Sequence, residues 1–157
     1  MKPWRIPAGV FAMMKEVARH LLRRPVVGIV AAARTRDGRW LLVRRADLGQ
    51  WALAGGTLEW GETLRECALR ELAEEAGVDG ATVGRLLGVF SDPDRDPRFH
   101  AVTVLVACAV DPPTRGPQNL LEIREARLFA DGEVPALAMR MSELVEVARR
   151  GGEPTFE

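Results

Sequence analysis

Between Gly55 and Val78 the chain reads GGTLEWGETLRECALRELAEEAGV, a double glycine followed by a stretch with the composition of a good helix. Glu62, Glu66, Glu71, Glu74 and Glu75 crowd it with negative charge against only Arg65 and Arg70. Like charges at helical spacing repel, and a merely solvated helix would interleave lysines at i+4. At about 100° per residue, Glu71, Glu74 and Glu75 fall within an arc of about 100° and share one ridge. Leu69, Leu72 and Ala76 form a separate apolar stripe suited to docking on a sheet. The helix is therefore expected to be buried on one side while its acids point into a cleft.

Three carboxylates on neighbouring turns destabilise one another in a dry cleft unless a cation or protons neutralise them. An all-oxygen set suits Mg²⁺ or Mn²⁺. Zinc would want His or Cys, and His20 and His100 are too few and too scattered for it. A plain solvated acidic face is the competing reading, and the pattern before the helix weighs against it. Gly55-Gly56 ends the apolar segment WALA and lets the backbone approach a ligand closely. GTLEWGET has the spacing of a phosphate-cradling P-loop, but its lysine position is Glu62, whose charge would repel phosphate, so a P-loop is rejected.

Around this segment the pattern alternates between strand and helix without strict βα repetition. Val26 to Ala33 is β-branched and apolar, Arg36-Asp37-Gly38-Arg39 supplies a turn, and Trp40 to Arg45 reads as the partner strand. Thr82 to Phe90 and Ala101 to Val110 read as strands separated by SDPDRDPRFH, Arg124 to Phe129 as a further strand, and Met141 to Arg149 as a closing helix. This predicts an α/β sandwich around a mixed β-sheet. From about Ala8 to Arg23, Val10, Met14, Val17 and Leu21 recur at helical spacing, so residues 1–24 are expected to carry an amphipathic helix. It would pack on its own domain, or serve as a cap or homodimer contact. Residues 25–150 would form the main domain and 151–157 a tail.

The totals narrow the class. At 157 residues the chain fits one ordinary domain. Its 22 acidic and 22 basic residues cancel, so no nucleic-acid surface is expected and any charge-based function must be local. The longest apolar run, PVVGIVAAA, is far short of the ~20 residues of a membrane span, and Lys15 and Glu16 interrupt any signal-peptide core. Cys67 and Cys108 are too few for a disulfide framework. A soluble protein of the reducing cytoplasm is the expectation.

The stretch from Gly56 to Val78 resembles the Nudix box, G-x5-E-x7-R-E-U-x-E-E-x-G-U with U aliphatic. Gly56, Glu62, Arg70, Glu71, Leu72, Glu74, Glu75, Gly77 and Val78 all fall in register. The resemblance implies a Nudix-type α/β/α sandwich and a Mg²⁺- or Mn²⁺-dependent hydrolase that cleaves a pyrophosphate linkage. It implies Glu71, Glu74 and Glu75 as metal ligands with the Gly55 carbonyl as a further one, and Arg70 as a structural partner of Glu62 that orients loop and helix beside Gly56. Nudix enzymes recruit the general base from the box or from a loop outside it, so Glu75 is the candidate inside, and Glu122 and Glu125 are the candidates outside. Where the family commonly has proline before the double glycine, this chain has Ala54, which relaxes the loop's preset φ without removing a ligand.

SDPDRDPRFH, from Ser91 to His100, also resembles a segment of Nudix enzymes that act on ADP-ribose or nucleotide sugars. On that resemblance the small-molecule partner is a nucleoside diphosphate derivative, with ADP-ribose cleaved to AMP and ribose 5-phosphate. Arg95 and Arg98 are candidates to hold phosphate or ribose, since guanidinium forks suit phosphate oxygens. Arg44 and Arg45, at the end of the second strand, are candidates on the phosphate side, against the reading of a solvated strand end. Trp51 or Phe99 would stack on a base if either is not core. Two other functions compete: a house-cleaning nucleoside triphosphate pyrophosphohydrolase acting on oxidised nucleotides, and a non-catalytic nucleotide sensor. The intact set of box carboxylates argues against the sensor.

Overall fold

The computed structural model describes residues 8–22 and 24–157. Residues 1–7 of the expected N-terminal element, and Arg23, lie outside the described residues. In chain order the elements are α1 (Ala8–Leu22), β1 (Val26–Thr35), β2 (Trp40–Arg45), β3 (Trp51–Ala52), β4 (Gly55–Thr57), α2 (Leu64–Ala76), β5 (Ala81–Phe90), β6 (Ala101–Val110), β7 (Ile123–Phe129), α3 (Met141–Arg150) and β8 (Thr155–Phe156). The sheet is mixed and runs β3-β2-β1-β6-β5-β8, with β4 added to β1 and β7 to β2. β1 and β6 are parallel over their whole length, from Val26 opposite Ala101 to Thr35 opposite Val110. The remaining pairs are antiparallel apart from β5 with β8.

Both faces of the central strands are covered, which is why β1 reads as a continuous apolar run. Successive side chains of a strand point to opposite faces. Ile29, Ala31 and Ala33 of β1 and Val104, Val106 and Cys108 of β6 meet Cys67, Ala68, Leu72 and Ala76 of α2. Val30, Ala32, Leu42 and Leu105 point the other way, onto Leu144 and Val145 of α3. A helix on each face of a mixed sheet is the α/β/α sandwich expected. Leu72 is fully buried between α2 and the sheet, so Leu72→Ala should cost about 2–5 kcal/mol. Trp40, also fully buried, satisfies its indole N–H on Asp131 Oδ1 at 2.7 Å.

Local chemistry sets the limits of α2. Thr63 and Glu66 form a reciprocal capping box at its start. Gly77 ends it at φ 66°, a left-handed conformation that favours glycine, and donates its N–H to the Leu72 carbonyl. One expectation changes here. Leu69, placed on the docking stripe, is 36% exposed, while Cys67 and Ala68 take the buried positions.

Residues 9–18 of α1 are all exposed, and Val10, Met14 and Val17 are 41%, 56% and 53% exposed, so this part of the stripe is not docked on the sheet. The segment expected as a tail contributes β8, which adds to the free edge of β5 at Gly88 and Val89. No helix among the described residues is long and apolar enough to cross a membrane.

Candidate active site

The double glycine brings α2 to the sheet. Gly55 and Gly56 lie opposite Val30 and Ile29 of β1. A β-carbon on Gly55 would lie 2.2 Å from the Ile29 carbonyl oxygen, and one on Gly56 would lie 2.1 Å from Glu71 Oε1. The β1 backbone leaves Gly55 no room for a side chain, and a side chain at Gly56 would have to displace the Glu71 carboxylate. The Gly55 N–H does not join the β1 ladder; it donates to Glu75 Oε2 at 2.9 Å. A residue's N–H and C=O point to the same side of an antiparallel strand, so the Gly55 carbonyl is also turned away from β1.

The three ridge glutamates are not equivalent. Glu71 and Glu75, one turn apart, are buried, while the Glu74 side chain is 46% exposed. Desolvation pushes the Glu75 carboxyl up to about 8, opposed by its bond from Gly55 and reinforced by the charges of Glu71 and Glu122. Desolvation raises Glu71 as well, opposed by Arg70. Arg70 is the organiser of the wall. It donates to both oxygens of Glu62, at 2.8 and 3.0 Å, to Glu71 Oε1 at 2.7 Å and to the Thr57 carbonyl at 3.2 Å. That fork holds the Glu62 carboxyl down at about 2.

Glu71, Glu74 and Glu75 border a cavity of about 330 Å³ together with Gln118, Asn119 and Glu122. Among the described residues no three acidic, His or Cys side chains are already gathered around one point at metal-ligand distance. Glu71 is turned toward Arg70, and Glu75 toward Gly55. The donor set nevertheless fits a hard divalent cation. It consists of carboxylate and amide oxygens without thiol or imidazole, and its two buried carboxylates carry a desolvation cost that a cation would offset.

On its other side this wall opens into a cleft of about 450 Å³, within the range of small-molecule sites. Its lining includes Arg45, Glu71 and Glu122, Arg95, Arg98 and Phe99 from the charged loop, and the apolar side chains of Phe90, Met139, Met141 and Leu144. Met139 and Arg140 are consecutive non-glycine residues at positive φ, 48° and 57°, a costly conformation just where the chain enters α3 and borders the cleft.

Several sequence candidates are thus brought together and others are not. Arg45, Arg95, Arg98, Phe99 and Glu122 line the cleft with Gly55, Gly56, Arg70 and Glu71. Arg44 and Glu125 do not. Neighbouring strand residues face opposite ways, and Arg44 is spent on Glu125 at 3.2 Å and on the Gly49 carbonyl at 3.0 Å. Glu125, a candidate base in the sequence, is here the ion-pair partner of Arg44, and neither residue is among those that border the cleft. Trp51 packs edge-on against Phe129, with ring centroids 4.8 Å apart, and belongs to the core. Sequence reasoning passed over Glu59, Phe90, Met139, Met141, Gln118 and Asn119, which carry no motif and reach the site only through the fold.

The fold and this site define an α/β/α sandwich whose glycine-braced acidic helix faces a cleft rimmed with arginines. Residues 22–148 match the family model of the NUDIX domain, and the chain belongs to the NUDIX family. Among curated relatives it is 34% identical over 114 residues to an ADP-ribose pyrophosphatase of Methanocaldococcus jannaschii, a match covering 71% of this chain and 66% of that protein. It is 43% identical over 70 residues to a MutT-like protein of Streptomyces ambofaciens, covering 45% and 43% respectively. The chain therefore spans about two thirds or less of the length of these relatives. Among solved structures it superposes on a UDP-X diphosphatase with a TM-score of 0.70 at 25% identity, covering 94% of this chain and 75% of that one. The NUDIX domain of Shewanella oneidensis NrtR complexed with ADP ribose has the same fold, with a TM-score of 0.72 at 23% identity and coverage of 93% and 98%.

Proposed function

We propose that the protein hydrolyses the pyrophosphate bond of a nucleoside diphosphate linked to a sugar, ADP-ribose above all, giving AMP and ribose 5-phosphate with Mg²⁺ or Mn²⁺. The observation that carries this is the junction of two groups in one cleft: the carboxylates of buried Glu71 and of Glu122, and the guanidinium groups of Arg45, Arg95 and Arg98. Carboxylates alone would repel a diphosphate, and arginines alone would not activate water. The similarity to an archaeal ADP-ribose pyrophosphatase supports the choice of substrate.

In this reading Glu71, Glu74, Glu75 and the Gly55 carbonyl hold the metal. The bound ion would neutralise charge on the diphosphate and acidify a water. Arg45 and Arg98 orient the phosphates, and the strained Met139 turn and Phe90 enclose the apolar part of the substrate. Glu122, which reaches both the acidic cavity and the cleft, accepts the proton of the attacking water; Glu75, tied to Gly55, serves as a ligand. Arg70 keeps Glu62 and Glu71 in place throughout. The exposed stripe of α1 supports a homodimer contact, and the absence of a membrane-crossing helix among the described residues accords with a cytoplasmic setting.

The test is substrate profiling with Mg²⁺ present. Release of AMP from ADP-ribose is expected. Release of pyrophosphate from an oxidised deoxynucleoside triphosphate, with ADP-ribose left intact, would replace this reading by triphosphate house-cleaning.

A further inference from the structure

Between β5 and β6 the charged loop is built around a side chain far away in sequence. Glu157 Oε2 accepts from the backbone N–H of Ser91 at 3.1 Å, from the N–H of Asp92 at 3.0 Å and from Arg95 Nε at 2.9 Å. Its Oε1 accepts from Arg95 Nη2 at 2.8 Å. Two successive amides and a bidentate guanidinium are the make-up of an anion socket. The occupant here is the chain's own carboxylate. The main chain is fixed in turn, with Glu157 N–H donating to the Val89 carbonyl at 3.1 Å and Ser91 Oγ donating to the Glu157 carbonyl at 3.3 Å.

The socket closes a ring of charges. Arg95 also donates to Glu143 Oε2 at 3.2 Å, Arg140 to Glu143 Oε1 at 2.8 Å, and Arg140 to Asp92 Oδ2 at 3.1 Å. The ring joins the loop, the first turn of α3 and Glu157, and its members brace two parts of the cleft wall. Arg95 lies over the Phe90 ring at 4.5 Å, and both line the cleft, while Arg140 follows Met139, which lines it too. Although it belongs to a surface loop, the Arg95 side chain is only 12% exposed. Single exposed ion pairs contribute little, but a bidentate pair inside a network fixes geometry.

We propose that Glu157 is a positioning residue for substrate binding: it fills the anion socket of residues 91–95 and holds Arg95 in the cleft wall in its binding orientation. The proposal rests on the function given above, in which Arg95 is one of the arginines of the cleft that receives the substrate. β8 is only two residues long and Phe156 is 86% exposed, so the segment carries little apolar anchorage of its own, and the Glu157 side chain is what ties it to the charged loop. Without that carboxylate Arg95 keeps only Glu143 and the face of Phe90, recovers rotamer freedom, and must be ordered anew by each substrate molecule.

Glu157→Ala and Glu157→Gln test this with ADP-ribose and saturating Mg²⁺. Glu157→Ala should raise KM by about tenfold with kcat held within about twofold, the signature of lost binding interactions without loss of chemistry. Glu157→Gln still accepts from the amides but lacks the charge, and should fall between wild type and Glu157→Ala. An unchanged KM in Glu157→Ala, or equal losses in kcat and kcat/KM, would overturn the proposal. A second readout needs no turnover: the Arg95 Nε–H resonance of the unliganded protein should be slow to exchange with solvent in wild type and fast in Glu157→Ala. Equal exchange in both also overturns the assignment. If wild type leaves ADP-ribose intact, the functional reading fails by itself, and the resonance still decides whether Glu157 places Arg95.

Discussion

Gly56 and Glu71 share one space: a β-carbon on the glycine would sit 2.1 Å from Oε1 of the carboxylate and 2.5 Å from its carbon. Gly56→Ala should therefore turn the Glu71 side chain out of its place beside Arg70. The far end of a side chain can give way, so thermal stability should fall modestly while metal-dependent turnover falls by about a hundredfold or more. Gly55→Ala is the contrast. Its β-carbon would meet the Ile29 carbonyl oxygen and Val30 Cα at 2.2 and 2.9 Å, and strand backbone cannot step aside. A loss of about 1–3 kcal/mol or more is expected, measured by denaturant titration.

Arg70→Lys keeps the charge but not the fork. A lysine ammonium cannot span both oxygens of Glu62 and reach Glu71 and the Thr57 carbonyl at once. Activity should drop about 10–100-fold, as is usual when the groups orienting metal ligands are disturbed. Titration with Mn²⁺, followed by paramagnetic relaxation of water, should show weakened metal affinity.

The two acidic residues on either side of Ile123 should separate cleanly. Glu122→Gln removes the carboxylate shared by cavity and cleft, and kcat should fall about 10²–10⁴-fold, the range for loss of a general base. Glu125→Gln alters only the pair with Arg44 and should stay within about twofold of wild type. Steady-state kinetics of the two variants side by side checks the assignment.

For Glu75→Gln, function and stability should move in opposite directions. Its amide oxygen can still accept from Gly55, while the charge that burial disfavours is gone. In chelator-treated protein the variant should melt at or above the wild-type temperature, whereas its metal-dependent turnover should be abolished. Calorimetry with and without added Mg²⁺ reads both, because only wild type should gain stability from the ion.

Acid should loosen the charged ring at a defined point. Arg95 holds the Glu157 carboxyl down at about 2, with the Asp92 and Ser91 amides assisting and desolvation opposing; Asp92, Arg140 and Glu143 complete its surroundings. A depressed folded-state value means that the carboxylate stabilises the fold above its unfolded value of about 4.3, and that this support is lost as pH falls through 2. The Glu157 carboxyl signal should thus titrate near pH 2, and in Arg95→Ala it should return toward 4.

Much of this was legible because it is local. The hairpin from Val26 to Arg45 announces itself by β-branched residues around Arg36-Asp37-Gly38-Arg39, and the acidic ridge by helical spacing. The capping box was also present in the string, as Thr63 followed three residues later by Glu66. Other features depend on tertiary neighbours. β3, β4 and β8 are two or three residues long and exist only because β2, β1 and β5 offer an edge. A helical wheel separates Glu71, Glu74 and Glu75 by angle alone and is blind to depth, so it could not reveal that Glu74 stays half exposed while its neighbours are buried. Nor can it tell Arg44 from Arg45; that depends on which face of β2 meets the cleft. Glu157 has no motif, and its partners lie more than 60 residues away.

The parallel pairing of β1 with β6 governs when the site can come into being. Gly55, Gly56 and the whole of α2 lie within the chain that must loop back before Val26 meets Ala101 and Thr35 meets Val110. Such long-range closure is slow and entropically demanding. On the ribosome, an emerging chain that has not yet released β6 would lack the sheet on which α2 rests its buried face. The acidic helix would be left in water with its carboxylates apart. The acidic helix would thus find its full seat late, when a strand that contributes no charged group of its own slides in beside the first, and Glu122 and the α3 residues of the cleft would follow later still.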